Sequence, residues 1–386
     1  MRQISLLLGA GFSVNKGYPT AKQLNGKLAN LNPEQLFVES NGSLLMLDGV
    51  SPSRNSWDSY KYFTVDLIRY FSNHGDFDYE KFYDFYQDIY QGRKEDKVVN
   101  EIAKSFCDKF HEIDLHNLLL KNNIIFNQLI SLFLVDSEGK KNYEPAHWCK
   151  PIYPGYTGFL NCLEEWGKTN VVHIHTLNHD LFLETFNTSD WLQGKLSDGF
   201  EEMGSPYFGD FQEKYKIRLS YFSENYNSNF RLYKLHGSTD QYPFHIENQG
   251  IDTYIKIKPG IKTTSLLKEV KSEKGEIVYI SDWINYHADF LTGTTSKILR
   301  YREPFYYENI FKRFEENLTN SDILVLVGYG CGDSEINELI QKCYNLKNPI
   351  FILDPFPHEN TTSFCTRFNA KLIKKDPERM VMQDFV

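Results

Sequence analysis

The sequence predicts an α/β fold: a parallel sheet covered by helices on both faces, interrupted by a large, mainly helical insertion. Three observations carry this. Short, continuously apolar runs alternate with stretches of helical periodicity, the pattern of strands buried on both faces. Several of those runs stop abruptly at glycine, asparagine, histidine or aspartate, as in LLLGAGFS and LVLVGYGCGD. Between the first and second such runs lies residues 33–156, where aromatic and charged residues follow a helical rhythm.

Taken in order, Gln3 to Leu8 reads as a buried strand that turns at Gly9-Ala10-Gly11. TAKQLNGKLANL follows as a helix, with Leu24 and Leu28 on one face and Thr20 placed to cap the first turn. The insertion, read as mainly helical, contains the aromatic and charged DSYKYFTVDLIRYFSNHGDFDYEKFYDFYQDIY and the amphipathic helix HEIDLHNLLLKNNIIFNQLISLFLV, and its Tyr and Phe stripe suits a core or an oligomer interface. The α/β pattern resumes at Val171 to Thr176, a strand, with Leu177 to Asp180 as its turn and LFLETF as a helix. GKLSDGFEEMGSPYFGDF is expected to be loop with little regular structure. FRLYKL is a strand ended by His236-Gly237-Ser238, and IDTYIKIKPG and GEIVYISD alternate like hairpins. YYENIFKRFEENL is a helix, DILVLVGYGCGD a strand and its turn, EINELIQKCYNL a helix, and NPIFILDP a last buried strand stopped by Pro355. Residues 1–32 and 157–386 are thus expected to form the α/β domain, with 33–156 inserted in it.

Composition narrows the function. A chain that is 41% hydrophobic and 15% aromatic can bury a substantial core. Its net charge of -9 argues against backbone-led recognition of a polyanion, so direct nucleic-acid binding is not expected. The six cysteines form no CxxC pair, so no structural zinc module and no metal is expected, and scattered thiols fit a reducing compartment. The apolar run from Ile4 to Leu8 is too short for a secretory leader, and no stretch reaches membrane-spanning length. A cytoplasmic protein without a membrane role is the expectation.

If the strands are parallel, their carboxyl ends bring Ser13, Asn178, Asp180, His236, Asp333 and Asp354 to one edge, where open α/β sheets bind ligands. Gly9 and Gly11, flanking Ala10, let the backbone approach a pyrophosphate, although Val14 stands where the third glycine of a dinucleotide fingerprint would fall. His236 reads either as a structural histidine or as a general base held between a strand and Gly237. Asn178 either caps a turn or holds a ribose hydroxyl or water, and Asp180 has the same two readings. Tyr329 and Asp333, in the turn from Gly328 through Gly330, contact ribose or phosphate or merely shape the turn. Asp354 suits adenosine ribose hydroxyls or caps the turn at Pro355. His173 and His175 share a strand face and read as core residues.

In their order these segments resemble the sirtuin superfamily. GAGFS resembles the sirtuin GAGxS loop, Thr176-Leu177-Asn178-His179-Asp180 resembles TQNID, and Leu235-His236-Gly237 resembles the catalytic HG. VGYGCGDSEIN and FLTGTTSKILRY are similar to segments of bacterial sirtuin-like proteins, a divergent group that includes anti-phage NAD-depleting effectors. The resemblance implies a Rossmann-like, sirtuin-like sheet that takes NAD as substrate. It implies catalysis by Asn178 and His236, with Ser13 and Asp180 at the nicotinamide end. The glycine turns, including Gly237, would cradle phosphates. Two departures stand out: Gly17-Tyr18-Pro19-Thr20-Ala21 replaces the GIPDFR-like segment, and the four-cysteine zinc module is missing. Both bear on acyl-lysine binding more than on NAD binding.

The resemblance therefore implies an NAD glycohydrolase releasing nicotinamide and ADP-ribose, gated as an effector in anti-phage defence. It also implies a homo-oligomer and a separately encoded partner such as a HerA-type ATPase. The alternatives are a protein deacylase or ADP-ribosyltransferase, and a non-catalytic module that binds NAD or ADP-ribose.

Overall fold

The computed structural model describes residues 2–40, 42–47, 55–110, 114–140, 153–212, 214–258, 260–281 and 287–386. The chain forms two compact units, one of residues 1–20, 135–283 and 301–386, the other of residues 21–134 and 284–300.

The first unit is built on a seven-stranded sheet. Its strands are β1 (Gln3–Leu8), β2 (Val171–Thr176), β3 (Leu196–Ser197), β4 (Phe230–Lys234), β5 (Ile323–Val327), β6 (Ile350–Leu353) and β7 (Lys371–Ile373). Their spatial order is β7-β6-β5-β1-β2-β4-β3, and every neighbouring pair is parallel. From β1 the chain lays β2 beside it, β3 at the edge and β4 between them, then returns to build outward on the other side as β5, β6 and β7. The order therefore reverses between β1 and β5, and the carboxyl ends of those two strands flank the crevice where such sheets take ligands.

Alternation along each strand assigns its two faces. Ile4, Leu6 and Leu8 of β1, with Val172 and Ile174 of β2, pack with Phe159, Leu163 and Trp166 of the helix Thr157–Thr169. His173, His175 and Tyr233 turn to the other face, where the His175 ring meets Phe314 of the helix Tyr306–Asn320 at 4.8 Å. His173 bonds the Tyr233 hydroxyl and Gln3 Oε1 at 3.2 and 3.1 Å. Burial pushes the His173 imidazole down to about 3 and that of His175 well below its ordinary value. Both are therefore neutral core residues at physiological pH.

One expectation needs correcting. The stretch from Gly194 to Phe211 is not loop. It contains β3 and the strands Gly199–Glu201 and Tyr207–Phe211, each of which joins a different sheet. The last two belong to four-stranded sheets completed by Ser220–Asn225, Gln241–Ile246 and Gly250–Lys256, and by Tyr215–Arg218, Ile261–Lys271 and Ile277–Ser281. These two sheets share a small core of Tyr207, Leu219, Phe244, Ile255, Ile261 and Leu266. NPIFILDP is the last fully buried strand, and the more exposed β7 adds to β6 at the sheet edge.

The second unit holds the helices Ala21–Ala29, Tyr60–Ser72, Tyr79–Tyr90, Lys97–Phe110 and Leu115–Phe133, with a short hairpin of Leu36–Val38 and Leu44–Met46. Asp78 and Asp114 cap two of these helices by accepting first-turn N–H groups. The part of the expected insertion at 141–152 lies outside the described residues. A distant segment completes the unit: Asp84 accepts hydrogen bonds from the Thr294, Thr295 and Ser296 amides and from the Thr294 hydroxyl, at 2.6 to 3.1 Å. Burial alone would raise the Asp84 carboxyl, but the bonds from Ser296, Thr294 and Thr295 outweigh it and hold it at about 2.

Because the folded Asp84 pKa is depressed, its stabilising contribution is present above about pH 4 and fades as pH falls toward 2. Acid unfolding of Asp84→Asn, followed by circular dichroism, should show a weaker pH dependence across that window than the parent. The glycines give a second test. A methyl at Gly328, whose φ is +61°, would overlap the Phe12 amide, whereas one at Gly330 meets nothing within 4 Å. Gly328→Ala should therefore cost about 2–4 kcal/mol in urea unfolding. Gly330→Ala should stay within about 0.5 kcal/mol.

Candidate active site

Two glycine turns meet at the switch point. Gly9 N–H donates to Val327 O at 3.2 Å, and Gly11 N–H donates to Gly328 O at 3.0 Å. A Cβ on Gly9 or Gly11 would lie 2.8 or 2.9 Å from Gly328 O, so neither position tolerates a side chain. Ala10, Gly11, Gly330 and Gly332 are exposed along the rim of this contact. Backbone there is open to a close-approaching ligand.

Asn178 sits beside this contact, 7% exposed. Thr176, the last residue of β2, shapes the turn: its hydroxyl donates to Leu8 O at 3.3 Å and accepts the Asn178 N–H at 3.1 Å. The Asn178 Nδ2 donates to Gly9 O and to Ser13 Oγ, each at 3.0 Å. A backbone carbonyl can only accept, so this contact fixes which end of the amide faces the loop. Sequence-predicted Ser13, Gly9 and Asn178 are thus one bonded group.

His236, 4% exposed, follows β4 in the turn made by Gly237, whose φ is +78°. Its Nε2 is 3.9 Å from Asp333 Oδ2, and its ring lies 6.3 Å from Tyr301 and 6.2 Å from His179. Thr239 N–H donates to His179 O at 3.1 Å, joining the His236 turn to the Asn178 turn. The structure therefore brings Ser13, Asn178, His236 and Asp333 together from the ends of β1, β2, β4 and β5.

Asp180 and Asp354 are placed differently. Asp180 Oδ1 accepts the Phe182 N–H at 3.0 Å and starts the short helix Phe182–Thr185. Asp354 accepts the Phe356 N–H at 2.9 Å and the Thr361 hydroxyl at 3.2 Å, holding the turn after β6. Asp333 also caps a helix, Ser334–Cys343, through Ile336 N–H at 3.2 Å. Each of the three has a turn-shaping role whatever else it binds.

Two supporting features were not singled out from the sequence. Lys234 is nearly buried at the end of β4, its Nζ donating to Asp180 O and lying 3.4 Å from Glu184 Oε1. The signal was a lysine set between Tyr233 and Leu235 at the end of a strand run. Asn337 braces the turn after β5, donating to Cys331 O at 2.9 Å and accepting the Tyr329 hydroxyl at 2.9 Å. Tyr329 also donates to Asp333 O at 3.1 Å, and burial pushes its phenol well above the ordinary value. Tyr329→Phe strands these acceptors beside His236. It should lower stability by about 1–3 kcal/mol in urea titration, without changing the helical signal of the folded state.

Among the described residues no group of three or more His, Cys, Asp or Glu is placed to hold a metal ion. No helix among them is long and apolar enough to cross a membrane.

Comparison with known proteins bears on this arrangement. No curated protein sequence matches the chain. Among solved structures, a Sir2 homologue–NAD complex aligns with 97% of this chain and 85% of its own, at 10% identity and TM-score 0.38. A point mutant of a Sir2 homologue, in complex with ADP-ribose, aligns with 97% of this chain and 87% of its own, at 9% identity and TM-score 0.37. The assignment rests on sequence: a family model described as the SIR2-like domain matches residues 172–374, from the start of β2 past the end of β7 and through both the Asn178 and His236 turns. The chain belongs to the SIR2-like domain family.

Proposed function

We propose that the chain is an NAD glycohydrolase that cleaves NAD to nicotinamide and ADP-ribose. The observation that carries this reading is the Asn178 amide, clamped to Gly9 O and Ser13 Oγ at the switch point. With Nδ2 turned to the loop, Oδ1 is directed away from it as an acceptor for a ribose hydroxyl or a water. The exposed glycine rim suits the pyrophosphate, whose oxygens need closely approaching N–H groups.

In the reaction, the glycosidic bond between ribose C1′ and the nicotinamide nitrogen breaks. Its electron pair passes to the pyridinium, which leaves as neutral nicotinamide. A water oxygen bonds to C1′ and its proton passes to His236, with the Asp333 carboxylate 3.9 Å away to balance the charge. The pyridinium is already a good leaving group, so the protein needs mainly to position water and stabilise positive charge on the ribose. Such an activity would drain its own cell, so it fits a gated, cytoplasmic effector in anti-phage defence. We extend the proposal to a homo-oligomer with the helical unit as a docking module, and to a separately encoded HerA-type ATPase as partner.

Purified chain incubated with NAD, alone and with candidate partners, should release nicotinamide measurable by chromatography. Asn178→Ala and His236→Ala should each slow release by at least about 100-fold. Parent-like rates in both would reject these assignments. NAD binding without cleavage under every condition would make the chain a binding module, and cleavage requiring an acetylated peptide would make it a deacylase.

A further inference from the structure

Lys234 is bonded to both of the turns that carry Asn178 and His236. It ends β4, two residues before His236. Its carbonyl accepts the Gly237 N–H at 3.1 Å, inside the His236 turn, and the Tyr306 hydroxyl at 3.1 Å. Its side chain reaches the Asn178 turn, where Nζ donates to Asp180 O, two residues beyond Asn178. Nζ also lies 3.4 Å from Glu184 Oε1, on the short helix Phe182–Thr185 that continues from that turn. The paired strands β2 and β4 end at Thr176 and Lys234. Beyond that pair, the spacing of the two turns depends on bonds between the turns themselves.

Stability does not account for a lysine at this position. Lys234 is 2% exposed, and taking an ammonium out of water is costly. Nor is Glu184 a dedicated partner, because burial pushes its carboxyl up against the pull of Lys234 and Lys256. Lys256 shares it at 3.8 Å while lying closer to Asp198, at 2.6 Å. A methionine of similar length would fill the same space without a buried charge. Methionine has no hydrogen to donate to Asp180 O. What the ammonium adds over an apolar side chain is therefore a fixed span from the end of β4 to the Asn178 turn.

We propose that Lys234 is a positioning residue that sets the spacing of the Asn178 amide and the His236 imidazole. Through them it places the ribose and the attacking water, and it touches neither. The proposal rests on the NAD cleavage proposed above, in which both side chains serve one ribose carbon. Misplacing such groups by about 1 Å costs about 100-fold in rate. The glycine rim takes no bond from Lys234, so its hold on the pyrophosphate is unaffected.

Lys234→Met tests this on the full chain through nicotinamide release from NAD, ADP-ribose affinity by calorimetry, and the urea midpoint. The expected kcat is at least about tenfold lower, with KM and ADP-ribose affinity within about twofold of the parent. A merely structural lysine would not split rate from binding in this way. If Lys234→Met fails to fold, Lys234→Met/Glu184→Met decides in its place, because it removes both buried charges together and should keep the parent's urea midpoint. A parent-like kcat overturns the proposal. So does a loss of affinity and urea midpoint that tracks the loss of kcat, or a double variant that also fails to fold. A parent that binds ADP-ribose yet releases no nicotinamide under any condition removes the cleavage reading itself, and the positioning role with it.

Discussion

The contact on which the site depends is the one between the two glycine turns. Gly9 and Gly11 lie so close to Gly328 that their backbones touch where side chains would otherwise stand. That proximity brings the ends of β1 and β5 together. It places Gly9 O and Ser13 within reach of Asn178, and it anchors the loop that carries Asp333 toward His236. Fixed backbone dipoles of this kind need no rearrangement when a charged ligand arrives, which is what a site that stabilises developing charge requires.

Around that contact, polar residues lock the neighbouring turns to each other. Thr176 bridges Leu8 and Asn178, Thr239 reaches His179, Lys234 reaches Asp180, and Tyr329 with Asn337 closes the loop after β5. Every one of these bonds joins or stiffens strand-end segments. Asn178 and His236 are thus carried by loops that are bonded to one another and to the strand ends.

Much of this was legible in the sequence because it depends on local pattern. Five apolar runs with turn residues at their ends marked the main strands, and the parallel sheet gathers Ser13, Asn178, His236 and Asp333 as those ends predict. What was not legible depends on distant partners. β3 is two residues long and is a strand only because Phe230 and Arg231 of β4 pair with it. β7, with Lys371 exposed at its start, carries too little apolar pattern to announce itself. Gly199–Glu201 and Tyr207–Phe211 acquire their conformation from antiparallel partners elsewhere in the chain. The turn bonds of Asp180 and Asp354 show the converse, since a residue at a strand end can shape a turn whether or not it touches a ligand.

The same architecture sets a constraint on how the molecule is made. β1 leaves the ribosome before the other strands, and both of its sheet neighbours, β2 and β5, are synthesised long after it. The bond from Gln3 N–H to Asp322 spans 319 residues. Until Val171 a largely apolar strand has neither edge paired, and until Ile323 only one, while the helical segment between can already close its own local contacts. Such long-range parallel pairing is intrinsically slow and exposes a sticky edge during assembly. The order of the chain thus makes completion of the sheet, and with it the site, a late event in folding, so a stalled chain would not carry a finished pocket.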